Sequence, residues 1–149
     1  MSYLVDGRRY RALGFANQAG GFEVRSPTFK GSLGTKDITS FRAPGQPAAA
    51  VFEGSFDFLS TLAYYGIEAP RSNVVVLNSV ALIERGVADL KGAGVEKVYA
   101  YFDHDQAGEN TLARLGREAW KVEDASGFYR GHKDANEYLQ EVARQRQGS

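Results

Sequence analysis

The sequence predicts an α/β fold, a mostly parallel sheet flanked by helices, preceded by a small, strand-rich, basic N-terminal segment. Three observations lead there. From about residue 48 onward, short apolar or β-branched runs alternate with segments of helical periodicity, the pattern of βαβ units. Before that, short aromatic and β-branched runs are separated by glycines and read as strands and turns. Between the two, residues 43–50 read Ala-Pro-Gly-Gln-Pro-Ala-Ala-Ala. Two prolines and a glycine in so short a stretch cannot lie inside a helix or a central strand. The expected division is 1–46 for the strand-rich segment and 47–149 for the α/β domain.

The elements come in this order. Residues 10–16 and 22–25 read as strands with Gly20-Gly21 between them, Gly31 and Gly34 punctuate the next stretch, and 38–41 is a last short strand. Residues 48–52 form an apolar strand. Residues 55–65 are a helix with Phe56, Leu59, Leu62 and Ala63 at helical spacing, and Gly66 is placed to end it. Residues 73–77, NVVVL, are a strongly β-branched strand. Ser79 caps a helix in which Ile83, Val87 and Leu90 share a face. Residues 95–102 are the third strand, 107–119 a helix with Leu112, Leu115 and Ala119 on one side, and 120–122 a fourth strand. The last helix, 134–144, carries Ala135, Tyr138, Leu139 and Val142 at i, i+3, i+4 and i+7. Trp120 and most of the nine Phe and eight Tyr belong to the core.

Composition narrows the chemistry. The 149 residues are 43% hydrophobic and 24% charged, as expected of one globular domain or one with an appendage. The absence of cysteine excludes disulfide scaffolds, thiolate zinc sites and cysteine nucleophiles. Two histidines, His104 and His132, are too few for a histidine-rich metal site. No apolar run approaches the roughly 20 residues of a membrane span, and the start, MSYLVDGRRY, lacks the apolar core of a signal peptide. A soluble, cytoplasmic protein without membrane association is the expectation. Net charge is zero, but residues 1–45 hold seven basic and three acidic residues, leaving eleven and fifteen for the remainder. That asymmetry fits an anionic partner at one end and a metal or a solvated acidic face at the other.

In open α/β sheets ligands sit beyond the carboxyl ends of the strands, and here those ends carry acids. The first strand of the α/β part runs into Glu53-Gly54, with Asp57 a turn later. The third runs into Asp103-His104-Asp105-Gln106-Ala107-Gly108. The last helix opens with Lys133-Asp134-Ala135-Asn136-Glu137. Asp103 and Asp105 are i, i+2, so in an extended segment both leave on the same side and can share a hard divalent cation such as Mg²⁺. Glu53, crowded by other carboxylates, is a candidate acid–base group with a raised pKa. Taken singly, Asp57 reads as a solvated helix residue and Asp134 as a charge complementing a helix N-terminus. His104 is either solvent-facing or a phosphate contact, and Lys133 either a surface lysine or a phosphate contact.

These residues resemble the TOPRIM family. Glu53-Gly54-Ser55-Phe56-Asp57-Phe58-Leu59 is similar to its first motif, and Tyr101-Phe102-Asp103-His104-Asp105-Gln106-Ala107-Gly108 to its Asp-x-Asp motif. Lys133-Asp134-Ala135-Asn136-Glu137-Tyr138-Leu139 is similar to the signature that closes the domain in bacterial primases. The resemblance spans about residues 47–143. It implies a compact Rossmann-like α/β domain that binds Mg²⁺ or Mn²⁺ and makes, breaks or rejoins phosphodiester bonds. Carried over, Glu53 is the general acid or base and counts among the groups that order the metal. Asp103 and Asp105 coordinate metal and count as catalytic, while Asp57 and Asp134 resemble additional metal-binding acids of the primase branch. Asn136 stands where many primases carry an acid.

The first 45 residues resemble the segment ahead of the TOPRIM motifs in primase-like proteins of bacterial mobile elements. There, basic strands help hold template and nucleotides, which implies nucleic-acid or nucleotide contacts for Arg25, Lys30 and Lys36, joined by Lys133. The implied activity is DNA primase-type nucleotidyl transfer, synthesis of RNA primers on single-stranded DNA from nucleoside triphosphates during DNA replication. The implied partners are a replicative helicase or an upstream zinc-binding module of a longer protein. The competing readings are a TOPRIM nuclease using the same acids on water and a catalytically idle nucleic-acid-binding module. A haloacid-dehalogenase-like phosphatase with Asp103 as nucleophile is disfavoured by Ala107, where Thr or Val is usual, and leaves Glu53-Gly54 unexplained.

Overall fold

The computed structural model of the chain describes residues 2–5, 8–11, 13–25 and 30–148, and side chains within 14–25 and 31–148. Strands β1 (Ser2–Val5) and β2 (Arg8–Arg11) pair as an antiparallel ribbon. Strands β3 (Leu13–Ala16), β4 (Phe22–Arg25) and β5 (Lys30–Leu33) form an antiparallel three-stranded sheet. The turn between β3 and β4 is organised by Asn17. Its side-chain oxygen accepts from the Ala19 and Gly21 N–H groups at 2.9 Å each, and its amide donates to the Thr35 carbonyl at 2.8 Å.

The main sheet has five strands. After β6 (Thr39–Phe41) come β7 (Ala48–Phe52), helix α1 (Ser55–Tyr65), β8 (Asn73–Val76), helix α2 (Ile83–Gly92), β9 (Lys97–Tyr101), helix α3 (Gln106–Leu115), β10 (Lys121–Asp124) and helix α4 (Ala135–Gln147). The spatial order is β10-β9-β7-β8-β6, parallel except for β6, which runs antiparallel on β8. This is the expected α/β class with a mostly parallel sheet flanked by helices and a strand-rich segment ahead of it. Strand 38–41 joins the main sheet as an edge.

The two faces follow the period of two along each strand. Ala49, Val51, Val75, Leu77, Val98, Ala100 and Phe102 face α2 and α3, where they meet Val87, Leu90, Leu115 and Trp120. Phe52, Val74 and Val76 face α1 and pack on Phe58, with Ala50 and Tyr101 alongside. Strand β8 is buried along its whole length, as a strand covered on both faces must be. Edge strand β10 is charged and mostly exposed, which blunts a free edge.

Two boundaries differ from the periodicity. The expected helix 107–119 ends at Leu115, because Gly116 follows and the Trp120 indole donates to the Leu115 carbonyl at 3.0 Å. The helix after Ser79 begins as a 3₁₀ turn, Val80–Leu82, with the Ser79 hydroxyl accepting from the Ala81 N–H at 3.3 Å. No helix among the described residues is long and apolar enough to cross a membrane.

Leu77 is fully buried between β8 and α2, whereas Leu59 on α1 is 42% exposed. Leu77→Ala is expected to cost about 2–5 kcal/mol and Leu59→Ala about 0.5 kcal/mol or less, read from urea unfolding midpoints.

Candidate metal centre and cleft

The site forms where the chain reverses its winding. From β7 the chain crosses to β8 on one side, and from β9 to β10 on the other, so the crevice between the carboxyl ends of β7 and β9 is the topological switch point. The register sets Phe52 opposite Tyr101, and their rings stack at 4.6 Å and 10°. Glu53 and Asp103 therefore leave the sheet side by side. The Asp103 N–H donates to Glu53 Oε1 at 3.4 Å.

Three elements then bring their acids together. Asp57 on the first turn of α1, Asp103 after β9 and Asp134 ahead of α4 each place a carboxylate oxygen within 4.8 Å of the others. All three are half-buried. Oxygen-only donors at this spacing suit a hard divalent cation. Asp134 Oδ1 also accepts from the Glu137 N–H at 2.8 Å and so caps α4. Asp57 Oδ1 accepts from the Asn136 N–H at 3.2 Å. Gly54 matters for space: a Cβ there would come 3.1 Å from Asp57 Oδ2.

Asp105 lies outside this trio. It caps α3, with Oδ1 accepting from the Gly108 N–H at 2.8 Å. The i, i+2 spacing puts two carboxylates on one side only along a straight extended segment, and here the chain bends at His104 and Asp105 before α3 begins at Gln106. Its charge still reaches Glu53 and Asp103.

Crowding shows in the pKa values. Glu53 is pushed up to about 8, first by burial and then by the charge of Asp103. Asp103 is also raised, again first by burial, although its hydrogen bond with Glu53 works the other way. Glu53 thus keeps a proton near neutrality.

The remaining expected contacts are distributed unevenly. Arg25 stands over the Phe56 ring, 5.3 Å from its centroid, and, with the Asn136 amide oriented so that its oxygen faces the guanidinium, donates to that oxygen at 2.5 Å (Nη1) and 3.1 Å (Nη2). Lys36 pairs with Glu23 at 3.3 Å. The Lys30 side chain lies outside the described residues. Lys133 lines the cleft, and its charge favours the ionised form of Asp103. The His104 ring is engaged within the chain: Nδ1 lies 2.8 Å from the His132 carbonyl and Nε2 2.9 Å from the Ser126 hydroxyl. A carbonyl only accepts, so Nδ1 carries the proton. The ring also stacks on Tyr129 at 4.7 Å, and the His104 N–H donates to the Lys133 carbonyl at 2.6 Å. Sequence reasoning gave Tyr129 no part, yet its buried hydroxyl donates to the Phe102 carbonyl at 2.7 Å and anchors the end of β9. Only the aromatic character of residue 129 could have hinted at this.

The acids open into a cleft of about 380 Å³. One wall is formed by strand ends and helix starts, with Glu53, Asp57, Asp103 and Asp134; the other is the three-stranded sheet, with Arg25 and Ser32, joined by Lys36 from the connection after β5.

This geometry has two measurable consequences. A Cβ on Gly108 would collide with the Asp103 carbonyl, so Gly108→Ala is expected to cost about 1–3 kcal/mol and to weaken Mn²⁺ binding in calorimetry. Glu53 binds its proton more tightly folded than unfolded, so its contribution is most favourable below about pH 4.5 and declines as pH rises toward 8. Thermal unfolding of the metal-free protein across that interval should show the decline, and Glu53→Gln should remove most of it, leaving the smaller part from Asp103.

Comparison with known proteins places this geometry. A family profile described as Toprim-like matches residues 50–139, and one described only as a domain of unknown function matches residues 1–34. No curated protein matches the chain. The fold is similar to the crystal structure of the primase fragment of the bacteriophage T7 primase-helicase protein, with a TM-score of 0.65 and 24% identity. That similarity covers 99% of this chain and 64% of the other, so this chain spans less than two thirds of its length. It is also similar to a chain in the structure of the bacteriophage T7 lagging-strand DNA polymerase interacting with primase domains bound to an RNA/DNA hybrid and dTTP. There the TM-score is 0.61 and the identity 22%, over 94% of this chain and 76% of that one. With three acidic motifs in order at the switch point of a primase-like α/β fold, and the profile covering more than half its length, this chain belongs to the Toprim-like family.

Proposed function

We propose that the protein carries out metal-dependent nucleotidyl transfer of the DNA primase type, making RNA primers on single-stranded DNA, as the catalytic part of a longer protein serving replication of a mobile element. The observation that carries this reading is the trio Asp57, Asp103 and Asp134 beside Glu53, roofed by a sheet bearing Arg25 and by Lys36 just beyond its last strand. Asp57, Asp103 and Asp134 would hold Mg²⁺ or Mn²⁺, which supplies charge stabilisation at a reacting phosphorus. Asp105 keeps α3 capped and adds to the negative field. Lys133, beside Asp103, offers a cation to a triphosphate, and Lys36 extends that cationic wall along the template. Arg25 holds the roof to Asn136 and Phe56, so its contribution to substrate binding is to set the width of the cleft. Glu53 sits next to the trio with its carboxyl pushed up to about 8, so it holds a proton at neutral pH and, once ionised, is basic enough to take one from an attacking hydroxyl. The same set of acids would act on water in a nuclease, so products decide.

The test is synthesis and cleavage measured side by side on single-stranded DNA with labelled nucleoside triphosphates and Mg²⁺ or Mn²⁺. Labelled oligoribonucleotides are expected from the parent, with a loss of about 100-fold or more in Asp103→Asn and Glu53→Gln. Shortening of a labelled strand without primers would replace this reading by a nuclease. DNA binding that survives both substitutions, with no catalysis by the parent, would replace it by a binding module.

A further inference from the structure

A second cleft, of about 420 Å³, lies on the other side of the β9 end, between the start of α3 and the turn after β10. Asp103 belongs to the walls of both clefts. The second holds Phe102 and Leu112 as apolar surface, with Glu109, Asp124, Ser126 and Arg130 as polar groups. Its size falls within the range of small-molecule sites, roughly 300–1,000 Å³.

Its polar groups have capacity to spare. Arg130 is exposed and makes no ion pair among the described residues. Asp124 uses Oδ1 to accept from the Ser126 N–H at 3.0 Å, which orients the carboxylate. Glu109, in the first turn of α3, is exposed at the rim. An unpaired guanidinium matches a phosphate, and carboxylates accept from ribose hydroxyls. One cation against two carboxylates does not suit a run of phosphates. It suits one sugar and its phosphate.

Nucleotidyl transfer joins two substrates at one metal centre, and two clefts converge on Asp103. We infer that the second cleft seats the ribose-phosphate unit of the reaction partner, Arg130 pairing with its phosphate and Glu109 and Asp124 accepting from its ribose hydroxyls. This rests on the nucleotidyl-transfer reading. A ribose-phosphate unit has two sources, a free ribonucleotide and the end of an RNA strand.

The experiment titrates the full chain, with Mn²⁺ present, with ATP, a short oligoribonucleotide and the matching oligodeoxyribonucleotide, each followed by calorimetry or anisotropy. Arg130→Ala should weaken binding of ATP or of the oligoribonucleotide by about tenfold, and whichever ligand responds is the source. Mn²⁺ binding by the metal alone should be unchanged. Glu109→Gln combined with Asp124→Asn should bring the ribo and deoxy affinities together. The second of these substitutions retains a side-chain oxygen to accept from the Ser126 N–H, so the turn stays supported. Unchanged affinity for every probe in Arg130→Ala, an unchanged ribo-to-deoxy ratio in the double variant, or no binding by the parent would overturn the inference. Ribose-dependent binding through Arg130 in a protein that makes no primer would leave the cleft standing and overturn the primase reading instead.

Discussion

The parallel register of β7 on β9 is the constraint on which the site depends. Placing Phe52 opposite Tyr101 forces Glu53 and Asp103 to leave the sheet together, in a half-buried place where two ionised carboxylates would repel. Burial and charge raise both pKa values. The backbone ladder and the stacked rings beneath hold them where solvation alone would part them. Ionising both groups there is therefore unfavourable, while the two apolar layers of the sheet hold the arrangement in place. A divalent cation would relieve it, which is why strain of this kind points to a ligand.

Helix starts share in this arrangement. Asp105 and Asp134 both sit in extended conformation at N-caps and accept from amides of the first turn. The positive end of each helix lowers the cost of gathering negative charge. Asp134 commits one oxygen to its helix and still joins the trio, while Asp105 does not reach it. His104 ties the loop of Asp103 to that of Asp134 through the Lys133 and His132 carbonyls. Two segments far apart in sequence thus form one wall.

The roof of the main cleft is held by a different kind of contact. Arg25 stacks on Phe56 and hydrogen-bonds the Asn136 amide, and Asn136 in turn holds Asp57 through its N–H. A neutral amide at that position joins the roof to the acid trio without adding a fourth charge. The strand-rich segment is in this way coupled to the acid trio by side chains. Among the described residues, no strand of the three-stranded sheet pairs with a strand of the five-stranded one.

Much was legible before any coordinates. The alternation of β-branched runs with 3.6-residue periodicity determined the α/β class, because burial on one face or two leaves a period in the chain. Acids directly after apolar runs marked the site edge, since parallel strands bring their carboxyl ends to one side. Sequence alone could not rank the acids. Whether Asp105 joins Asp103 depends on where the chain turns into α3, and whether Asp57 and Asp134 meet depends on α1 packing beside α4. Nor could it show that Arg25 is engaged by Phe56 and Asn136, that Thr39–Phe41 adds to the main sheet, or that a second cleft shares Asp103. Local pattern determined which elements form and which ends carry charge. Only the tertiary structure decided which charges face one another, because that is set by strand order and helix packing between residues far apart in the chain.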